Sequence, residues 1–284
     1  MTEGGVTKAA AGKHPFRSLG SLGGRLFSRV WLFLLLVALW EVWARNSEES
    51  YFPPPSTILP TMRDVWFSGP ASHLFLNGKA IDDFTPSLSH IFFGWILASV
   101  VGIVLGLALG RSRTAFEYLD PLFQLGRATP PPTLIPFFII VFHFGGAMHI
   151  SAIVFGVIWP VLLNTVDGAR TVDAVQLDTA KVFGITGSQR LFRLILPAAA
   201  PKIFAGLRVS LSLAVILMVV SELVGSTTGI GSHLLTTQRT FEIPKMWAGI
   251  VLLGILGYAF NEVLLLIERR LLAWHTGVRR LADA

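Results

Sequence analysis

Residues Asp167–Arg208 read DGARTVDAVQLDTAKVFGITGSQRLFRLILPAAAPKIFAGLR, a long polar stretch lying between two strongly apolar ones. Two short helices are signalled back to back. Asp173 with Gln176, and Thr186 with Gln189, have the spacing of capping boxes, in which paired side chains satisfy the free N–H groups of a helix start. Gly184 stands where the first helix should stop, since glycine takes the left-handed conformation that helix ends often need. Pro197 and Pro201 are expected to break whatever follows the second, because proline removes a backbone donor. On the first helix Val175, Thr179, Val182 and Phe183 share one face, and Leu177, Asp178 and Lys181 the other. So short an amphipathic helix at a membrane face either lies on lipid or docks into a groove on a protein partner. Arg170, Lys181, Arg190, Arg193, Lys202 and Arg208 outnumber Asp167, Asp173 and Asp178, which places the stretch on the cytoplasmic side.

The surrounding chain supports a membrane setting. It has 284 residues, 52% hydrophobic and only 14% charged, whereas soluble domains carry about a quarter charged residues. Several runs approach the ~20 apolar residues that cross a bilayer, so this is a polytopic membrane protein. The net charge of +6 is scattered over short loops at one membrane face. No basic patch is interleaved with exposed aromatics, which argues against nucleic acid as a partner. There are no cysteines, so disulfides, thiol catalysis and thiolate metal sites are excluded.

In chain order, residues 1–26 read as a disordered basic cytoplasmic tail. Residues 27–86 hold a first transmembrane helix, roughly Ser28–Arg45, and an outside loop. The bulky Val42-Trp43-Ala44 lacks the small-residue pattern of a cleaved signal peptide. After Pro53-Pro54-Pro55, Ser56 is expected to cap a short helix through Trp66, with Trp66 an anchor at headgroup level. The alternative for that helix is a docking ledge for an external binding protein. Residues 87–274 form the core, with spans expected at Ser87–Leu109, Pro121–Gly145, His149–Val166, Phe204–Val224 and Met246–Ile267. Gly102, Gly106 and Gly110 line a stripe suited to close helix approach. Pro130-Pro131-Pro132 and Pro136 should break the second of these spans, and Pro160 should kink the third. Residues 275–284 form a second cytoplasmic tail. Of the 23 Lys and Arg residues only Arg45, Arg63, Lys79, Arg239 and Lys245 fall outside, an asymmetry that sets both termini in the cytoplasm.

Catalytic patterns are lacking. The sequence has no G-x-x-x-x-G-K-S/T loop to cradle ATP phosphates, and neither H-E-x-x-H nor G-x-S-x-G. His143 and His149 flank a turn with no Asp, Glu or Cys nearby to complete a metal site. No cofactor or metal is therefore expected in this chain. Among intramembrane charges Glu222 is the strongest candidate, because it precedes GSTTGIG (Gly225–Gly231), a run suited to bending backbone around a cavity. Glu222, Ser226, Thr227 and Asn164 are the candidate pathway or gate residues. A packing hydrogen bond is an equal reading for Glu222, and Glu41 and Glu262 are read as structural. An ion-coupled secondary transporter using Glu222 is the alternative function. Such carriers show interrupted helices in both halves, and no matching second half is visible here.

Asp178-Thr179-Ala180, then Gly184, then Leu194-Ile195-Leu196-Pro197 resemble the Glu-Ala-Ala…Gly…Ile-x-Leu-Pro loop of permease subunits of binding-protein-dependent ABC importers. GRATPPPTLIPFFIIVFHFG, WPVLLNTVDGARTVD and SELVGSTTGIG are similar to the branch with nitrate, sulfonate and taurine permeases, and the likeness runs from Ser87 to Trp274. Departures are Asp178 for Glu, which keeps the charge, Thr179 for the first Ala and Leu194 for Ile. The resemblance implies an all-α integral membrane protein of about six transmembrane helices with the type I ABC importer permease (MetI-like) fold, in the bacterial plasma (inner) membrane. It implies a transport subunit, not an enzyme, with ATP and Mg bound by a partner ATPase present in two copies. A second permease chain forming a homodimer, an extracytoplasmic solute-binding protein and membrane lipid are the other implied partners. The loop 167–208 would couple to the ATPase through Val175, Asp178, Thr179, Ala180, Val182, Phe183, Gly184, Leu196 and Pro197. The implied solute is a small sulfonate, taurine, nitrate or a related compound.

Overall fold

The structure, a computed structural model, describes residues 19–47 and 50–273. The expected tail before Leu19 and the one at 275–284 lie outside the described residues. Every regular element among the described residues is helical. The chain divides between Thr57 and Ile58 into two units.

In the first unit, α1 (Leu19–Asn46) starts well before the expected Ser28 and so takes in part of the expected tail. Between Val30 and Trp43 most of its large apolar side chains are exposed. Near its end Glu41 accepts hydrogen bonds from the Ser56 backbone N–H at 3.0 Å and from Ser56 Oγ at 2.7 Å, and pairs with Arg45. The expected cap at Ser56 is therefore corrected. The next helix, α2 (Pro55–Trp66), begins one residue earlier, and the carboxylate of Glu41 satisfies the Ser56 N–H.

In the second unit the long helices are α3 (Gly78–Gly110), α6 (Gly146–Arg170), α9 (Leu196–Gly225) and α11 (Ile243–Leu271). Between them come α4 (Arg113–Ala128), α5 (Ile135–Phe142), α7 (Ala174–Val182), α8 (Gly187–Arg190) and α10 (Ile230–Arg239). Among the described residues the four long helices suffice in length and composition to cross a membrane. A fifth span results if α4 and the segment Pro131–Phe142 count as one, bent by 87°. The expected count of six thus stands here at four or five. The break falls at Pro130-Pro131-Pro132, where missing N–H groups and ring clashes prevent a straight helix.

Helices α3 and α6 pack closely along the glycine stripe. A Cβ at Gly94 would lie 2.7 Å from Ile153, at Gly102 3.0 Å from Val161, at Gly106 2.5 Å from Thr165 and at Gly110 2.5 Å from Ala169. The partners advance in the same order, so the two helices run parallel. Against α9 the order reverses: Gly168 meets Ala199, Gly206 meets Pro160 and Asn164, and Gly156 meets Leu217. The buried core lies along these seams and includes Ala98, Val157, Val161, Ala199, Ala214 and Met218. Pro160 sits inside the continuous α6, its carbonyl accepting from Asn164 Nδ2 at 2.8 Å.

Two expectations fail. Pro197 and Pro201 do not end the chain's helical course: a π-turn at Leu191–Ile195 leads straight into α9, which contains both. Pro197 falls in the first turn, where the absent N–H has no intrahelical partner to lose. Trp66 is no exposed interfacial anchor. It is fully buried, its indole N–H donates to Asp83 Oδ2 at 2.8 Å, and its ring packs 4.8 Å from His233. A buried carboxylate needs donors, and the indole supplies one.

Candidate functional site: a hook and a cavity at opposite ends of the bundle

The connection from α6 to α9 forms a hook. Asp173 Oδ1 caps α7 by accepting from the Val175 N–H at 3.1 Å. At the other end Gly184, at φ +67°, turns the chain: its N–H donates to Lys181 O at 3.0 Å and the Ile185 N–H to Ala180 O at 2.9 Å. This pair of bonds is a Schellman motif, which needs the left-handed residue that glycine provides. The Thr186 N–H donates to Gln189 Oε1 at 3.3 Å and opens α8, as its spacing predicts.

The hook has an inner and an outer face. Ala180 is buried, and Leu177 packs with Ala169, Val172 and Ile195 at the base. Outward, Val175 is 68% exposed, Val182 85% and Phe183 78%, with Thr179 exposed beside them. Asp178 pairs with Lys181 at 2.7 Å, and the hydrogen bond from that ammonium holds its carboxyl below the usual range. Of the expected coupling residues, then, Val175, Thr179, Val182, Phe183 and Gly184 face away from the bundle. Ala180 belongs to the base, Leu196 packs against the core at the start of α9, and Pro197 beside it is half-buried. At this end of the bundle Arg208 of α9 pairs with Glu268 of α11.

At the opposite ends of α6 and α9, Glu222 is fully buried and ties three segments together. Its Oε2 accepts from Ser87 Oγ at 2.8 Å and from the Gly231 N–H at 3.0 Å, while Oε1 meets His90 Nδ1 at 2.9 Å. Ser87 Oγ accepts in turn from the Ile230 N–H at 2.8 Å. Gly229, at φ +102°, lets the chain pass the carboxylate, where a Cβ would lie 2.5 Å from Oε2. His149, also buried, places Nδ1 3.1 Å from Ser221 Oγ, and its ring stacks 4.5 Å from that of His90.

Beside this cluster opens a cavity of about 450 Å³ lined by His90, His149, the Gly145-Gly146 turn and Ser226, Thr227 and Thr228. Ser226 and Thr227 line this cavity. Glu222 sits behind its wall, with its acceptors engaged. Asn164 lies apart, half-buried against Gly206 towards the hook end. No group of three or more metal-ligating side chains occurs among the described residues. Sequence reasoning missed His90, Ser87 and the Asp83–His233 pair. A histidine or serine inside an apolar run carries no signal of a partner more than a hundred residues away.

Residues 98–273 match the family described as the binding-protein-dependent transport system inner membrane component, and the chain belongs to it: a multi-pass inner-membrane permease of the ABC importer class. Similar proteins fall in the sulfonate, taurine and nitrate branch. The chain is 32% identical over 242 residues, 84% of each chain, to the putative aliphatic sulfonates transport permease protein SsuC of Bacillus subtilis. It is 29% identical to the taurine transport system permease protein TauC of Escherichia coli, covering 87% of this chain and 89% of that one. To the nitrate import permease protein NrtB of a Synechocystis species it is 28% identical, over 82% and 85%. In fold it is similar to a chain of the inward-facing MetNI methionine ABC transporter, with a TM-score of 0.60 and 18% identity over 67% of this chain and 95% of that chain. The MetI-like permease architecture is thereby established.

Proposed function

We propose that this chain forms one half of the solute pathway of an ATP-driven importer and receives its driving force through the hook at 167–208. The supporting observation is the outer face of α7: three large apolar side chains, Val175, Val182 and Phe183, held in the open on a rigid base. Such a face calls for a groove on another protein. The occupant fitting the family is an ATPase subunit that binds ATP and Mg, present in two copies. Each copy grips one hook of a permease homodimer related by a two-fold axis. The hook and both termini face the cytoplasm, by the charge asymmetry, and a solute-binding protein delivers cargo on the far side. The similar proteins named for aliphatic sulfonates, taurine and nitrate point to a small sulfonate, nitrate or a related compound as solute.

The double variant Val182→Asp, Phe183→Ala tests the coupling. It should insert normally, since neither side chain supports the bundle, yet lose co-purification with the ATPase and reduce solute uptake at least about tenfold, the order expected when central interface anchors are removed. Unchanged co-purification and uptake would reject the docking role. Uptake should also collapse on ATP depletion and survive dissipation of the proton gradient; the reverse would favour an ion-coupled carrier.

A further inference from the structure

The cavity at the end of the bundle away from the hook has the features of a ligand site. Helix α6 begins at Gly146 with no side-chain cap, so the Gly146 N–H and the positive end of the dipole of a 25-residue helix adjoin that space, while the Met148 N–H is taken by the Gly145 carbonyl at 3.1 Å. Two imidazoles line the same space, each more than nine-tenths buried. Each is fixed through Nδ1, His90 to Glu222 and His149 to Ser221. That leaves both Nε2 atoms without a partner in the protein, and a Cβ at Gly146 would sit 3.5 Å from Nε2 of His90. Thr227 adds an exposed hydroxyl, and no acidic side chain lines the cavity.

We propose that this cavity binds a small oxyanion of the sulfonate or nitrate type, making it a solute subsite within the permease itself. The proposal rests on the importer reading above and names the chemistry that reading leaves open. Sulfonate and nitrate oxygens accept hydrogen bonds from several directions. The cavity supplies donors in that arrangement: the Gly146 N–H at the α6 start, the Thr227 hydroxyl and the His90 ring. An imidazole between a carboxylate and an oxyanion donates to both when it carries both protons. Glu222 is the carboxylate in contact with His90, and His149, which donates through Nδ1 to Ser221 Oγ while that hydroxyl donates to the Met218 carbonyl, takes no part in holding the anion. The glycines at 145 and 146 keep the helix start bare, so an anion reaches the Gly146 N–H directly.

Calorimetric titration of the full-length permease in maltoside micelles, which carry no phosphate, tests the assignment. Sodium ethanesulfonate and sodium nitrate are the anionic probes, ethylammonium chloride is a cation of matching size, and dioctanoyl phosphatidylglycerol represents lipid headgroups. Ethanesulfonate or nitrate should bind once per chain, and ethylammonium should not. Thr227→Val removes one hydroxyl, and Gly146→Ala adds a methyl at ordinary contact distance from His90. Both should leave the unfolding temperature unchanged and weaken ethanesulfonate binding about tenfold, the scale of one hydrogen bond to a charged group. Absence of anion binding, equal binding of ethylammonium, unaltered affinity in both variants, or displacement of ethanesulfonate by the phospholipid at equal concentration would each overturn the assignment. Uptake that follows ATP in a protein failing these titrations would leave the importer reading standing and remove only the subsite.

Discussion

Glu222 shows how a single buried charge organises one end of the molecule. Three donors meet it, Ser87 and His90 of α3 and the Gly231 N–H of α10, so its removal leaves buried polar groups without their partner. Glu222→Ala should therefore destabilise the protein by about 3 kcal/mol or more, the scale of leaving three buried hydrogen-bonding groups unpaired. Glu222→Gln keeps the shape and should cost less. Thermal unfolding in detergent reads both, and equal melting of the Ala variant and the wild type would show the network to be dispensable. The charge itself is legible in the sequence because a carboxylate stands out in an apolar run. Its partners are not, since nothing local marks which histidine folds back onto it. Trp66 shows the same limit: an aromatic near a membrane face reads as an anchor until Asp83 is known to lie beneath it.

At the scale of elements, the helices built from small residues were the most legible. The glycines of α3 recur at fourfold spacing, and the structure sets Gly102, Gly106 and Gly110 against Val161, Thr165 and Ala169. Gly106→Leu should force α3 and α6 apart, because even its Cβ would lie 2.5 Å from Thr165 and 2.9 Å from the Leu162 carbonyl oxygen. Overpacking of this kind costs about 1–3 kcal/mol, read as a lowered unfolding temperature. Gly254→Ala in α11 meets nothing within 4 Å. It should be neutral or stabilise by up to about 1 kcal/mol through helix propensity; equal losses in the two variants would contradict the packing account. The hook's start and stop were legible for the same reason, since caps and glycine turns are local chemistry. The passage from Leu191 into α9 was not. Proline content suggests a break there, and only the π-turn with first-turn placement of Pro197 shows how the backbone continues.

For the whole molecule, the hook and the cavity stand at opposite ends of α6, whose 25 residues span ~37 Å at 1.5 Å each. Sites so far apart with no shared partners should respond independently to substitution. Val182→Asp should leave ethanesulfonate affinity of the isolated chain unaltered, and Thr227→Val should leave ATPase co-purification intact. A shift of more than about twofold in either cross-measurement would reveal coupling already present in the resting chain. Nothing in the seams of α3, α6 and α9 offers slack, because at each glycine contact one backbone or branched side chain already fills the space a methyl would take. The trio is therefore tightly packed along its whole length. The contrast is the elbow between Ala128 and Pro131, where the chain bends by 87° and proline lacks the N–H groups that would hold it straight.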